Sequence, residues 1–590
     1  MNIVEFLNKS YIKILLPIKN EFSFFILFLL GIMIIPVRLF ISDIHYGEFK
    51  EILNFIFGYL PRAIFLVYLL TLLIFISKSK LLKCLGYIIA AILFAITLFL
   101  NLVFNKTLQP DIITLIAETN SEESTEFLSS FLFTKGGIIT VILTIIYGII
   151  VILGEKYKAA LKRWLCRVET IFLSKIIVLI VSILCLCSLN FYYDIFKVKD
   201  IDVLPSHYGR DDAITSLIYS LYSIRLVNEE MKHAVLVTKS AKRGYVDEKD
   251  SLNVIYVIGE SYIKSHSQLY GYYLPTTPNL CSEQEKGNLF VFDNVVTPFN
   301  TTTLTMKNTF CCNSLRDNER WSDFPYFPAV FKKSGYSVYF WDVQKDDSIQ
   351  ATFEYSLNSF VYNKELSEES YTQVSKNVFQ YDDQAVLDFE RNVKNMGKHN
   401  LIIFHLMGQH VAANKRYPHI AQFEKFTISD IKRNESYIDD SKKQKIAEYD
   451  NATYYNDYVL KHIIDLFRNK NTVLLYFSDH GEEVYDYRDS QGRKALNEKQ
   501  LKEGLKCQYE VPFMIWCSDK YMKSHQSVVS DIKTSIHKPF QTDNLSNILF
   551  KLGSINTAYY DRSCCAICPG FKEQDRIVDK KYNYDKIKKN

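Results

Sequence analysis

Five long apolar runs crowd residues 20 to 195, and no other feature of the 590-residue chain constrains its fold as strongly. Each approaches or exceeds the roughly 17 mainly apolar residues that a helix needs to cross a bilayer, where no water can satisfy a non-helical backbone. They lie near 22–42, 57–76, 83–104, 136–154 and 171–193. The first is read as a span and not as a cleaved signal peptide: no small-residue cleavage pattern follows "GIMIIPVRLFI", and four more runs come after it. Pro61-Arg62 is the point where the second run is most open to splitting or merging.

Lysine and arginine in the short loops set the orientation. Lys9, Lys13 and Lys19 precede the first run, "SKSKLLK" follows the second and "EKYKAALKRWLCR" the fourth. These alternate with "SDIHYGEFKE" and "NKTLQPDIITLIAETNSEESTEFLSSF", which are balanced or acidic. The alternation places the N-terminus in the cytoplasm and everything after residue 194 on the far side. Next comes "AITSLIYSLYSIRLV", with Ile214, Leu217, Ile218, Leu221 and Ile224 on one helical face. A helix packed on a soluble domain and one lying in the membrane interface explain that face equally well. The expected organisation is a transmembrane domain over 1–194, a linker with this helix over 195–250, and a soluble domain over 251–590.

A net charge of +4 from 69 basic and 65 acidic side chains argues against nucleic-acid binding, which draws its affinity from a basic surplus. Of 12 cysteines, eight fall in the soluble part: Cys281, Cys311, Cys312, Cys507, Cys517, Cys564, Cys565 and Cys568. An even number on the oxidising side of a membrane suggests disulfides, with connectivity open. "CCAIC" contains a Cys-x-x-Cys but has no second pair at zinc-finger spacing, so a disulfide cluster is the default reading there.

From residue 251 the chain alternates short apolar runs, "LNVIYVIGE", "YSVYFWDV", "NLIIFHLMG", "TVLLYFSDH" and "VPFMIWCSD", with amphipathic stretches such as "YDNATYYNDYVLKHIIDLFRN". That is the pattern of a mainly parallel sheet covered on both faces, which binds ligands beyond the carboxyl ends of its strands. Three runs end in metal-binding residue types: Glu260, His410, and the pair Asp479-His480. Singly, each has an ordinary explanation as a helix cap, a loop hydrogen bonder or a turn anchor. Together, at one edge of one sheet, carboxylate and imidazole suit zinc or a similar divalent ion. A strand over Val291 to Val296 leads into "TPFNTTTLTM", whose Thr301, Thr302, Thr303 and Thr305 offer either a helix cap or a hydroxyl nucleophile that a cation activates.

In combination, "VIGES" with "LYGYYLPTTP", "TPFNTTTL", "GQH" followed by "KRYP", and "FSDHGEEVYD" behind five spans resemble the phosphoethanolamine transferases of Gram-negative envelopes. These have a periplasmic domain of the alkaline phosphatase and sulfatase superfamily. The resemblance implies a monomeric inner-membrane enzyme that moves phosphoethanolamine from phosphatidylethanolamine to lipopolysaccharide or lipid A, by way of a modified threonine. It implies zinc ligands at Glu260, Asp479, His480 and Thr302, with Thr302 the nucleophile and its register open by one residue. His410 matches the family histidine assigned to the substrate phosphoryl group or to a second zinc, and Asn120, Glu122, Glu123 and Glu126 fall in a segment that resembles the family's loop for the donor headgroup, with a solvated loop as the plain alternative. One departure stands out. Where many members carry a histidine about a dozen residues after "DHGE", this chain has "EEVYDYRDSQGRKALNEKQ", so the pattern supports one zinc and hardly a second. Arg488, Arg493 or Lys494 is the replacement at hand for holding an anion, and Glu482 and Glu483 read as supporting or helix-start residues.

The same superfamily also offers a membrane-anchored sulfatase or phosphodiesterase, but "TTTLTM" lacks the Cys or Ser context that becomes formylglycine. A glycerol-phosphate transferase would consume a different lipid, and an inactive receptor or scaffold would hold no zinc.

Overall fold

The computed structural model describes residues 13–46, 48–104, 107–108, 113, 132–161, 163, 175–198, 211–317, 320–345, 363–410, 412–493, 496 and 498–589. The chain divides into two compact units, Met1–Glu229 and Glu230–Asn590.

In the first unit five helices are long and apolar enough to cross a membrane: Phe22–His45, Phe49–Ser77, Lys80–Val103, Lys135–Lys156 and Val178–Lys197. The second neither merges with a neighbour nor splits at Pro61. Its backbone runs helical throughout, and a π-helical stretch, Phe55–Tyr59, stands directly before Pro61, where a widened turn makes room for a ring that lacks an N–H. Packing between helices is reinforced by single polar contacts, such as Tyr147 Oη donating to the Leu27 carbonyl at 2.8 Å. Such bonds hold because hydrocarbon offers no competing partner. The amphipathic stretch forms one helix, Ala213–Lys239.

The second unit is built on a seven-stranded sheet. Its strands are β1 (Leu252–Gly259), β2 (Leu289–Phe292), β3 (Ser337–Asp342), β4 (Gln373–Val374), β5 (His399–His405), β6 (Thr472–Ser478) and β7 (Phe513–Cys517), in spatial order β2-β7-β6-β1-β5-β3-β4. All five apolar runs became strands, and all pairings are parallel except those of β7 with β6 and β2. The strand expected over Val291 to Val296 is instead two short ones, because Asp293-Asn294 interrupts β2 before Val295–Val296 pairs elsewhere with Phe540–Gln541.

Central strand β1 is buried on both faces. Ile255 and Val257 face the helix Asp440–Phe467, which buries Ile446, Tyr449, Tyr455, Val459 and Ile463 and starts with Asp439 accepting from the Lys442 amide at 2.9 Å. Tyr256 faces the other way into Phe310, Phe327 and Phe477. At about 1.5–3 kcal/mol per large apolar side chain buried, these two layers dominate the stability of the unit.

Among the described residues one disulfide is formed, Cys565–Cys568, while Cys281, Cys311, Cys312, Cys507, Cys517 and Cys564 are free. The even count therefore does not translate into a full set of bridges.

Candidate metal centre and nucleophile

Strands β1 and β6 are in register, Gly259 opposite Ser478, so the residues that follow, Glu260 and Asp479-His480, emerge side by side. Both ends are fully buried. Ser261, held at φ +56°, turns the chain sharply after β1. Its amide donates to Asp479 Oδ1 at 3.2 Å, its hydroxyl donates to Glu260 Oε1 at 2.8 Å, and its carbonyl accepts from Tyr449 Oη at 2.6 Å. A left-handed serine costs energy, and these three bonds hold it there. Two glycines allow the close approach. A Cβ at Gly408, whose φ is +50°, would stand 2.9 Å from the Glu260 backbone, and one at Gly481 would stand 2.0 Å from the Cys507 carbonyl oxygen.

The helix Thr302–Phe310 brings its first residue to this edge. Thr302 Oγ1 donates to Glu260 Oε2 at 3.1 Å and lies 3.2 Å from His480 Nε2. Thr303 is the next helical residue and Thr301 the exposed cap, and neither makes these two contacts. His480 Nδ1 donates to the Gly481 carbonyl at 2.8 Å, which leaves the Nε2 lone pair facing the carboxylates, 3.2 Å from Glu260 Oε1 and 3.1 Å from Asp479 Oδ2. Ligand atoms of Glu260, Asp479 and His480 all lie within 4.8 Å of one another.

The electrostatics favour a cation here. Burial works against the Glu260 carboxylate, yet the His480 imidazole beside it holds it well below the usual carboxylate range. Burial, and then the Glu260 charge, push its neighbour Asp479 up to about 7. Burial also opposes charge on His480, but Asp479 and Glu260 outweigh it and raise the imidazole. Two carboxylates this close resist joint ionisation unless a cation stands between them. Asp479 Oδ2 is buried with no hydrogen-bond partner among the described residues, which is the lone pair that a metal ion would take. Two carboxylates, one imidazole and one hydroxyl fit the four-coordinate preference of zinc.

His410 lies in the turn after β5, whose Gln409 amide donates to the Glu260 carbonyl at 3.0 Å. Its Nδ1 is buried and unpartnered among the described residues. Burial draws it below the ordinary imidazole value, and the Arg416 and Arg493 charges add to the effect. Asn120, Glu122, Glu123 and Glu126 lie outside the described residues, as does Lys494. The other two anion candidates divide. Arg488 is committed to Glu483, at 2.7 and 2.6 Å, whereas the Arg493 guanidinium lies against His480 Nε2 and donates to the Asn300 carbonyl at 3.0 Å. Glu482 and Glu483 start no helix; Glu483 also accepts from Tyr487 and Gln508, and so braces the loop after His480.

Sequence reasoning missed Gln344, whose amide donates to Glu260 Oε2 at 3.2 Å and to the Leu406 carbonyl at 3.0 Å. It also missed Ser261 and Tyr449. "GES" was a visible signal for Ser261; the other two carry none.

A family model described as Sulfatase matches residues 252–549, half of the chain. The chain belongs to the sulfatase family. Within this sulfatase-family setting, the resemblance to phosphoethanolamine transferases is borne out by relatives. Phosphoethanolamine transferase EptC of Escherichia coli K12 is 26% identical over 541 residues, which cover 85% of either chain. The crystal structure of the C-terminal periplasmic domain of EptC from Escherichia coli, in complex with Zn, is 26% identical, with a TM-score of 0.50 over 58% of this chain and 96% of that one. The integral membrane protein lipooligosaccharide phosphoethanolamine transferase A of Neisseria meningitidis, at 16% identity and a TM-score of 0.53, shares the fold over 92% of this chain and 98% of its own.

Proposed function

We propose that this protein transfers phosphoethanolamine from phosphatidylethanolamine to lipopolysaccharide, on a core sugar or a lipid A phosphate, by two displacements on Thr302. The observation that carries the reading is the position of Thr302 Oγ1, at a helix N-terminus and within hydrogen-bond reach of both Glu260 and His480. A structural cap has no need of two buried ionisable partners.

Glu260, Asp479, His480 and Thr302 would hold one zinc ion. Bound there, zinc lowers the pKa of the threonine hydroxyl and offsets charge on phosphoryl oxygens. The rest falls to the side chains. Thr302 Oγ1 attacks the donor phosphorus, the bond from phosphorus to the glycerol oxygen breaks, and diacylglycerol leaves with the proton that the threonine gave up. The acceptor oxygen then attacks the phosphothreonine, the bond to Oγ1 breaks, and the acceptor's proton returns to Thr302. His410 and Arg493, both near Glu260 or His480, orient the phosphoryl oxygens. Asn120 and Glu126 hold the donor ammonium. The five helices anchor the enzyme in the inner membrane with the catalytic domain in the periplasm and the N-terminus in the cytoplasm, and the enzyme works as a monomer. Donor and acceptor lie in membranes, so the anchor raises their effective concentration.

Intact-mass measurement after incubation with phosphatidylethanolamine tests donor and nucleophile together. A phosphoethanolamine adduct that survives in Thr301→Ala and Thr303→Ala but vanishes in Thr302→Ala is the expected result. No adduct in any variant would reject the mechanism.

A further inference from the structure

The two buried oxygens of Glu260 have different company. Oε1 accepts from the Ser261 hydroxyl at 2.8 Å and faces His480 Nε2 at 3.2 Å, whereas Oε2 accepts from Thr302 Oγ1 at 3.1 Å and from the Gln344 side-chain amide at 3.2 Å. The two donors on Oε2 are not equivalent. In the proposed reaction Thr302 gives up its proton, and once its oxygen carries phosphorus it has none to offer Glu260. Gln344 is a neutral amide, so it remains a donor at every step.

The fold fixes this glutamine from both ends. Its Nε2 also donates to the Leu406 carbonyl at 3.0 Å, and the Leu406 amide in turn donates to the Ile258 carbonyl at 2.9 Å, next to the pairing of β5 with β1. A carboxylate and a carbonyl both accept, so the nitrogen of the Gln344 amide must face them; a flipped amide would set its oxygen against theirs. The backbone is tied down as well. The Gln344 amide donates to Asp342 Oδ1 at 2.8 Å, closing a tight turn, and the Val343 amide donates to the His405 carbonyl at 2.9 Å. Asp342 stands opposite His405 across β3 and β5, both side chains are fully buried, and His405 Nδ1 donates to the same Oδ1 at 2.8 Å. A half-buried glutamine just past a strand end is ordinarily free to change rotamer. Here a buried Asp-His pair holds its turn and two acceptors hold its side chain.

We infer that Gln344 is a positioning residue that keeps the Glu260 carboxylate in one orientation through both displacements, above all while Thr302 is modified and cannot donate. The inference rests on the proposed function for those displacements; the hold on Glu260 can be measured without them.

Gln344→Met keeps the length of the side chain and removes its donors. Zinc competition on the full-length protein should find affinity lower by about 10–100-fold, the range for removing a contact that orients a metal ligand, with the unfolding midpoint in denaturant unchanged. A loss at least as large is expected when the same substitution is made in Thr302→Ala, where Gln344 is the donor left on Oε2. In an intact-mass time course with phosphatidylethanolamine, the adduct should form about tenfold more slowly at saturating lipid, while the lipid concentration for half-maximal rate stays as in the wild type. The inference falls if Gln344→Met binds zinc as tightly as the wild type, or if its loss of affinity is matched by a drop in the unfolding midpoint, which would mark a purely structural turn. A wild type that forms no adduct would reject the proposed transfer instead, and the zinc affinities would still decide the role of Gln344.

Discussion

Ile152 and Ile255 are the same residue in two solvents. Ile152, in the helix Lys135–Lys156, is 70% exposed on the surface of its unit, whereas Ile255, in the middle of β1, is 0% exposed. The clustering of charge differs too. In the helical unit Lys83 at a helix end bridges Glu21 at 2.8 Å and Glu155 at 2.7 Å, while in the α/β unit Glu260, Asp479 and His480 are fully buried. The helical unit turns apolar surface toward lipid and keeps Lys83 and its partners at helix ends, with a buried ion pair, Arg62 with Asp211 at 2.6 Å. The α/β unit spends its apolar surface on a core, and that core can force ionisable groups together in a dry place.

The sharpest way to break this comparison is to remove one buried charge. Asp479→Asn should lower transfer by about 10³-fold, a loss of several kcal/mol of stabilisation at the reacting phosphoryl group, while the protein still enters the membrane. Zinc measured on the purified protein should fall in parallel. Retained activity would mean that the clustered charges are structural.

Ile255→Ala should cost about 2–5 kcal/mol in denaturant unfolding, because it leaves a cavity in a packed sheet. Ile152→Ala should cost close to nothing, since lipid tails fill the space. Equal losses at both positions would contradict the assignment of the helices to the membrane.

Ser261→Ala removes the hydroxyl bond to Glu260 and nothing of the backbone, and outer contacts of this kind are worth about 10–100-fold in metal affinity. A zinc competition assay on the variant should find a loss in that range, and an unchanged affinity would leave Ser261 with only its backbone role.

A separate effect concerns pH. His266 is buried between Asp450 at 2.7 Å and Asp486 at 3.1 Å. Burial disfavours its charge, but the two carboxylates prevail and push it from 6.5 up to about 10. A folded value above the unfolded one means that its contribution is complete below pH 6.5 and disappears as pH rises through about 10. Unfolding midpoints of the wild type should therefore decline between pH 7 and 10, with a shallower slope in His266→Asn. Parallel slopes would show that the imidazole is neutral throughout.

Much of this was legible in the chain. Runs such as Thr472–Ser478 announce buried strands because a parallel sheet covered on both faces leaves no polar side, and lipid-facing helices announce themselves by length. Val291–Val296 was misread because Asp293-Asn294 breaks a run that is otherwise β-branched or aromatic. The cysteine count misled for a different reason: pairing depends on distance in the fold, and buried cysteines also serve as small apolar residues.

By itself the sequence determined the five helices, the alternation of five sheet strands with covering helices, and the strand-end residues Glu260, Asp479 and His480. These follow from local periodicity and from the tendency of parallel sheets to expose chemistry at their carboxyl ends. Only the tertiary structure decided that Thr302, and neither neighbouring threonine, meets Glu260 and His480. It alone brought Gln344 and Tyr449 to Glu260 and Ser261, and placed Arg493 against His480 where relatives were expected to carry a histidine. Those contacts join residues 13 to 188 positions apart. No periodicity records them, because side-chain reach across a core depends on how whole elements pack and not on the neighbours of a residue in the chain.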